Sequence, residues 1–138
     1  TWRAHLERIL ADGAGKPVES VLQELMFDFL KTLRENAEMV RFCATERQRN
    51  PELAAFHLQK IEENHHLLCD FLRTRQEAGE IRPEADVSTA AGLLMGAAYS
   101  CFLLYGEHDD SVWNPIVDGL AGSGVDVVMN GIHPCPAV

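Results

Sequence analysis

From Val87 to Gly106 the chain carries no charged side chain. It is fenced by Glu80, Arg82, Glu84 and Asp86 on one side and by Glu107, His108, Asp109 and Asp110 on the other. A run of about 20 residues has the length of a membrane-spanning helix. Its composition argues otherwise: Gly, Ala, Ser, Thr and Cys fill about half of it, and no basic cluster follows, as a stop-transfer segment would have. We read it as a helix of a non-membrane protein, with Asp86 as its cap, ending at Gly106. A helix that is apolar all round must be covered all round. A chain of 138 residues fits one domain and has little volume in which to enclose one helix completely. A second subunit is the easier cover. The small residues Ala91, Gly96, Ala97, Ala98 and Ser100 permit close helix approach. Leu94, Ala98 and Cys101 lie along one line, and Met95, Tyr99 and Phe102 along another. One line is expected to face a partner and the other the interior.

The rest of the chain reads as helix, without sustained strand alternation. A first helix ends near Asp12, before the loop "DGAGKP", and the chain reads as starting partway through it. Pro17 suits a first helical turn. Val18, Val21, Leu22, Leu25, Met26, Phe29 and Leu33 follow as an amphipathic stripe. Asn36 can cap a short helix through "AEMVRFCATERQR". Asn50-Pro51 is a start signal for a long helix over about 51–78, striped by Ala54, Leu58, Ile61, His65, Leu68 and Leu72. Gly79 is placed for a left-handed stop. The last helix, from Ser111 or Asn114-Pro115 to about Gly131, carries Trp113, Ile116, Val117, Leu120, Val127 and Val128. Gly119, Gly122 and Gly124 interrupt it, each costing up to about 1 kcal/mol relative to Ala. It therefore needs partners. Two adjacent helices, one too apolar and one too weak to stand alone, point to a symmetric homodimer built as a four-helix bundle. Ala91, Leu94, Ala98, Cys101, Val117, Leu120 and Val128 are the expected interface.

The formal net charge of −9 argues against this chain gripping nucleic acid, which needs clustered Lys and Arg, and against an anionic membrane surface. Cys43, Cys69, Cys101 and Cys135 lie far apart with no CxxC pair, which reads as reduced thiols in a cytosol. Serines are few and none sits in a nucleophile elbow. Phosphate-loop and dinucleotide fingerprints are absent. Cys69 shares a helix with His65 and His66, and nothing supplies an oxyanion hole, so cysteine catalysis is not expected. Glu62, Glu63, His65 and His66 hold two overlapping Glu-x-x-His pairs, a piece of a di-iron site in helical bundles. The complete site needs a second such pair and further glutamates, and the sequence has no second pair. No metal and no cofactor are expected, and the chain is not expected to be an enzyme. A small metal-binding helical enzyme and a ligand-free helical adaptor are the rival readings.

His65 lies on the interior stripe, either as a buried histidine bonded to a neighbour or as a polar anchor in an apolar pocket. Tyr99 has the same two readings. Met26, Phe29, Phe42, Met95 and Phe102 are large apolar residues that serve equally as core. With His65, Cys69 and Tyr99 they are the expected ligand-binding set.

"EAGEIRPEADVSTAAGLLMGAAY" and "ENAEMVRFCATERQRNPELAAF" together resemble the C-terminal regulatory domain of TetR-type (tetracycline-repressor-like) transcriptional regulators. In that family a long helix commonly closes with a "GxIRPD"-like linker before a small-residue apolar helix. The resemblance covers about residues 16–132. It implies an all-α bundle of about six helices that binds a small, mostly hydrophobic effector and dimerises through its last two helices. The expected organisation is therefore one cytoplasmic effector-binding and dimerisation domain over 1–138 of a regulator, most often a repressor. Residues 1–12 would end a linking helix. The family's N-terminal helix-turn-helix domain is absent from this chain, so DNA would be reached only through that missing unit. The Gly-rich "DGLAGSGVDVV" departs from the family pattern.

Overall fold

A computed structural model describes residues 2–132 and 134, and among them every regular element is helical. The order is α1 (Trp2–Asp12), α2 (Val18–Glu35), α3 (Ala37–Glu46), α4 (Pro51–Glu77), α5 (Val87–Tyr105), α6 (Asp110–Gly119), a π-helical stretch (Leu120–Gly124) and α7 (Val125–Asn130). The helical backbone continues through both junctions of the π stretch, so the last three elements form one rod. The expected all-α bundle of about six helices is what the chain forms. Cys135 lies outside the described residues.

Local chemistry sets most of the boundaries. The Asn50 side chain accepts from the Leu53 N–H at 3.1 Å, with Pro51 at the first helical position. Gly79 has φ +85°. The Glu80 N–H reaches the Arg75 carbonyl and the Gly79 N–H the Gln76 carbonyl, the paired bonds that close a helix in the left-handed manner. Asp86 accepts from both the N–H and the hydroxyl of Thr89 at 3.0 and 2.7 Å, and these bonds hold its carboxyl below the ordinary carboxylate value. Asn36 behaves differently from the expected cap. Its side chain caps nothing in α3 and donates instead to the Thr32 carbonyl at the end of α2.

The core is one cluster centred on α2, whose Val21, Leu22, Leu25, Met26 and Leu30 are enclosed mainly by α1, α5 and the last rod. In α4 the expected stripe is only half buried. Leu68, Cys69 and Leu72 are enclosed, while Leu58 and Ile61 stay exposed. The cause is length: 27 residues reach about 40 Å, beyond the other core helices, so the N-terminal half is covered mainly by α3.

The rod formed by α6, the π stretch and α7 turns Trp113, Ala121 and Val125 into the core, with Val117 partly buried between them. A strict step of four drifts about 40° round an α-helix each time. The wider π turn advances less per residue and takes back part of that drift, holding the four on one side. Arg34 fixes the rod's start. It lies 5.3 Å from the Trp113 ring and donates to Asp110 at 2.7 Å and to the His108 carbonyl at 2.8 Å.

Gly106 ends α5 against Phe102. A Cβ there would lie 2.6 Å from the Phe102 carbonyl oxygen and 2.7 Å from its ring. Since backbone cannot yield as a side-chain tip can, Gly106→Ala should cost about 2 kcal/mol. A urea titration checks this, and an unchanged midpoint would mean that the α5–α6 turn relaxes freely.

Candidate functional site

Two features of the subunit are candidates for function: the outer face of α5 and the corner where α3, α4 and α5 meet. In α5, Ala91, Leu94, Ala98 and Phe102 are sealed in the subunit's own core. Its opposite face is open, with Leu93 60% and Leu104 66% exposed and Gly96, Ser100 and Leu103 beside them. This differs from both expected lines. The interior takes Leu94 and Ala98 from one line and Phe102 from the other. Cys101 is half-buried, and burial raises its thiol pKa. Val117, Leu120 and Val128 pack partly buried against the core, while Val112 and Val127 are exposed. Of the seven expected interface residues, Ala91, Leu94 and Ala98 are thus closed to any partner by their own subunit. The physical reason is that α2 and α4 choose which side of α5 is covered, and an almost uniformly apolar helix offers no pattern by which to foresee that choice.

The eight residues expected to bind ligand do not share one cavity. Met26, Cys69 and Phe102 are fully enclosed. Phe29 packs on Trp2 with ring centres 4.3 Å apart. Phe42 is exposed on α3, beside an open groove of about 720 Å³ that it shares with Arg34 and Met39. A second open groove, of about 620 Å³, runs between α2 and α6 past Phe27, Lys31 and Trp113 and touches none of the eight. His65 is committed: its Nε2–H donates to the Ser88 carbonyl at 3.1 Å, and its ring lies 3.7 Å from the Cys69 sulfur. That bond ties α4 to the first turn of α5 and makes His65 a satisfied structural histidine. Burial raises the Cys69 thiol pKa, which keeps it an inert thiol. Met95 and Tyr99 are half-buried against the core.

On α3, α4 and α5 the structure shows polar groups that no sequence pattern singled out. Arg41 of α3 places its guanidinium 4.8 Å from the Phe102 ring centre and pairs through Nε with Glu107 at 3.3 Å. Its Nη2 is buried without a hydrogen-bond partner. His57 of α4 has a buried, unpartnered Nδ1. Burial, and then the Arg47 charge, lower the His57 pKa and keep its ring neutral. Burial raises the Tyr99 hydroxyl pKa, with Arg47 opposing and Cys43 adding to the rise. One signal could have pointed to His57: it stands two helical turns before His65, on the same side of α4. Arg41, between Val40 and Phe42, gave a weaker hint.

Among the described residues no group of three or more His, Cys, Asp or Glu side chains is arranged to hold a metal, the Glu62–His66 segment included. The helix α5 is long and apolar enough to cross a membrane, yet its core-facing residues are already packed on α2 and α4.

Residues 20–105, more than half of the chain, match the family model for the C-terminal domain of AefR-like transcriptional repressors. No curated protein and no solved structure matches the chain.

Proposed function

The chain belongs to the TetR-type regulators' C-terminal domains, and on that premise we propose that it is the effector-binding and dimerisation unit of a cytoplasmic repressor, spanning residues 1–138 and acting as a homodimer. The reading has a small, largely apolar molecule as the signal, no enzymatic step and no cofactor. The observation that carries it is the divided face of α5: Ala91, Leu94, Ala98 and Phe102 closed in one subunit, Leu93 and Leu104 open on the other side. A second copy of α5 and of the last rod supplies the missing cover, because a two-fold axis lets one patch cover itself. Gly96 and Ser100, small and exposed, let the two copies of α5 approach closely.

Effector binding then favours one packing of α3, α4 and α5 and, through α1, one spacing of two DNA-binding heads joined to the dimer. The coupling is no larger than the effector's differential affinity for the two packings.

Sedimentation tests the dimer. The chain should sediment as a dimer, and Leu93→Glu should give a folded monomer. The substitution appears twice across a two-fold interface and buries an unpaired carboxylate each time, at about 3 kcal/mol or more. Its melting temperature, measured with the subunit concentration held fixed, reports any loss of fold. A Leu93→Glu protein that stays dimeric would place the interface elsewhere.

A further inference from the structure

We propose that α3 is a hinged lid, latched by Arg41 over Phe102 at the C-terminal end of α5, and that it opens while the rest of the domain stays folded. The lid goes beyond the effector-binding reading and does not depend on it. None of the ten residues of α3 is buried, and its Met39 and Phe42 leave two large apolar side chains exposed. A segment with little apolar burial belongs to the part of a fold that opens first. Asn36 is the hinge. Its φ of −112° and ψ of 28° break the helix between α2 and α3, and its side chain bonds back to α2 without capping α3. An open groove of about 720 Å³ runs along this junction past Arg34, Asn36, Met39 and Phe42, so the hinge has space in which to bend. At its other end, a turn at residues 47–49 joins α3 to α4.

The latch is Arg41. Its guanidinium lies over the Phe102 ring, 4.8 Å from the centre, and its Nε pairs with Glu107. Phe102 is fully buried, so the guanidinium is part of what closes that end of the core. Arg34, on the other side of the hinge, grips the same α5–α6 connection in the same manner, through one carboxylate, Asp110, and one ring, Trp113. The two arginines differ in how far they are satisfied. Arg34 donates through both terminal nitrogens, to Asp110 and to the His108 carbonyl. Arg41 keeps its Nη2 buried and without a partner. Water meets that donor as soon as α3 lifts. This gain offsets part of what opening loses: a ring contact and an ion pair whose Glu107 side chain is 77% exposed. The closed latch is therefore weakly held, while Arg34 keeps the connection beneath it fixed to α2. Lifting α3 uncovers Phe102 and opens the core at the end of α5.

Hydrogen exchange of the intact chain, read by mass spectrometry, tests the lid without any ligand. The amides of residues 41–46 should exchange about 100-fold faster or more than those of residues 21–30 in α2. Arg41→Ala should speed exchange in α3 by a further factor of about five or more and leave α2 unchanged. Alanine is the better helix former, so simple fraying of α3 would become slower in that variant and not faster. Glu107→Gln changes an exposed side chain outside α3 and should speed exchange in α3 by about two- to threefold. It decides alone if Arg41→Ala does not fold. Amides in α3 as protected as those in α2 overturn the lid. Fast exchange in α3 that neither substitution speeds overturns the latch and leaves only a frayed helix. An equal rise in α2 and α3 in both variants means that the whole domain opens together, which overturns the proposal as well.

Discussion

Ala98→Glu should unfold the domain and should not yield a folded monomer. Ala98 is 0% exposed and packs with Leu94 and Phe102 on the side of α5 that α2 and α4 cover. A glutamate there faces two costs at once. The extra side-chain atoms have no space in a close-packed core, at about 1–3 kcal/mol. The carboxylate must also be desolvated without a partner, which costs several kcal/mol more. Together these approach the whole stability of an ordinary domain, about 5–15 kcal/mol. Far-ultraviolet circular dichroism against temperature, alongside sedimentation, gives the readout. A folded Ala98→Glu protein with unchanged melting would mean that this line of α5 faces a partner after all. The contrast with Leu93→Glu is informative because the two residues lie on opposite sides of the same helix. One substitution should destroy the fold, and the other should separate the subunits.

The second large effect belongs to Arg75. Arg75 is 7% exposed although it lies in the last turn of α4, near a helix end. It donates to the Lys16 carbonyl at 2.8 Å, to the Gly13 carbonyl, and to the Glu80 carboxylate at 3.0 Å. It also lies 5.0 Å from the Phe71 ring centre. Gly13 and Lys16 belong to the loop between α1 and α2, so one side chain holds that loop to the end of α4. Gly13 has room for nothing larger: a Cβ would come within 2.6 Å of Val21. Arg75→Met keeps the length and apolar stem and leaves two loop carbonyls without their donor. The expected loss is about 3 kcal/mol, since hydrogen bonds to a charged group are each worth about 1.5–3 kcal/mol. For a chain of this size that is about 10 °C in melting temperature. Glu80→Gln serves as the control. Glu80 is 41% exposed on its side chain, and an exposed ion pair contributes about 1 kcal/mol or less. Equal losses in the two variants would show that the ion pair, and not the grip on the loop, carries the effect.

The features that were legible in the sequence are those decided within a few residues. Asn50-Pro51, Gly79 and Asp86 act through bonds to neighbours two to five positions away, and each ends or begins a helix where its chemistry says it should. The stripe of α2 was legible for the same reason, because its apolar residues fall on one side of a helix that is buried on that side. The Asn36 cap was misjudged because the same amide can bond backwards to Thr32 as readily as forwards, and sequence does not rank the two.

The candidate site was less legible because it depends on which helices meet. Nothing local to His57 tells that α3 will bring Arg47 close to it. His65, the residue that the α4 pattern favoured, turned out to be bonded to the Ser88 carbonyl on α5. The sequence by itself determined the helical class, most of the helix ends and the family. Only the tertiary structure decided which face of α5 belongs to its own core, that Arg75 clamps the first loop, and that Arg41 and His57 each keep a buried polar atom without a partner. Caps and stripes are set by bonds between near neighbours in the chain. Faces, clamps and pockets are set by residues that packing brings together from distant parts of it.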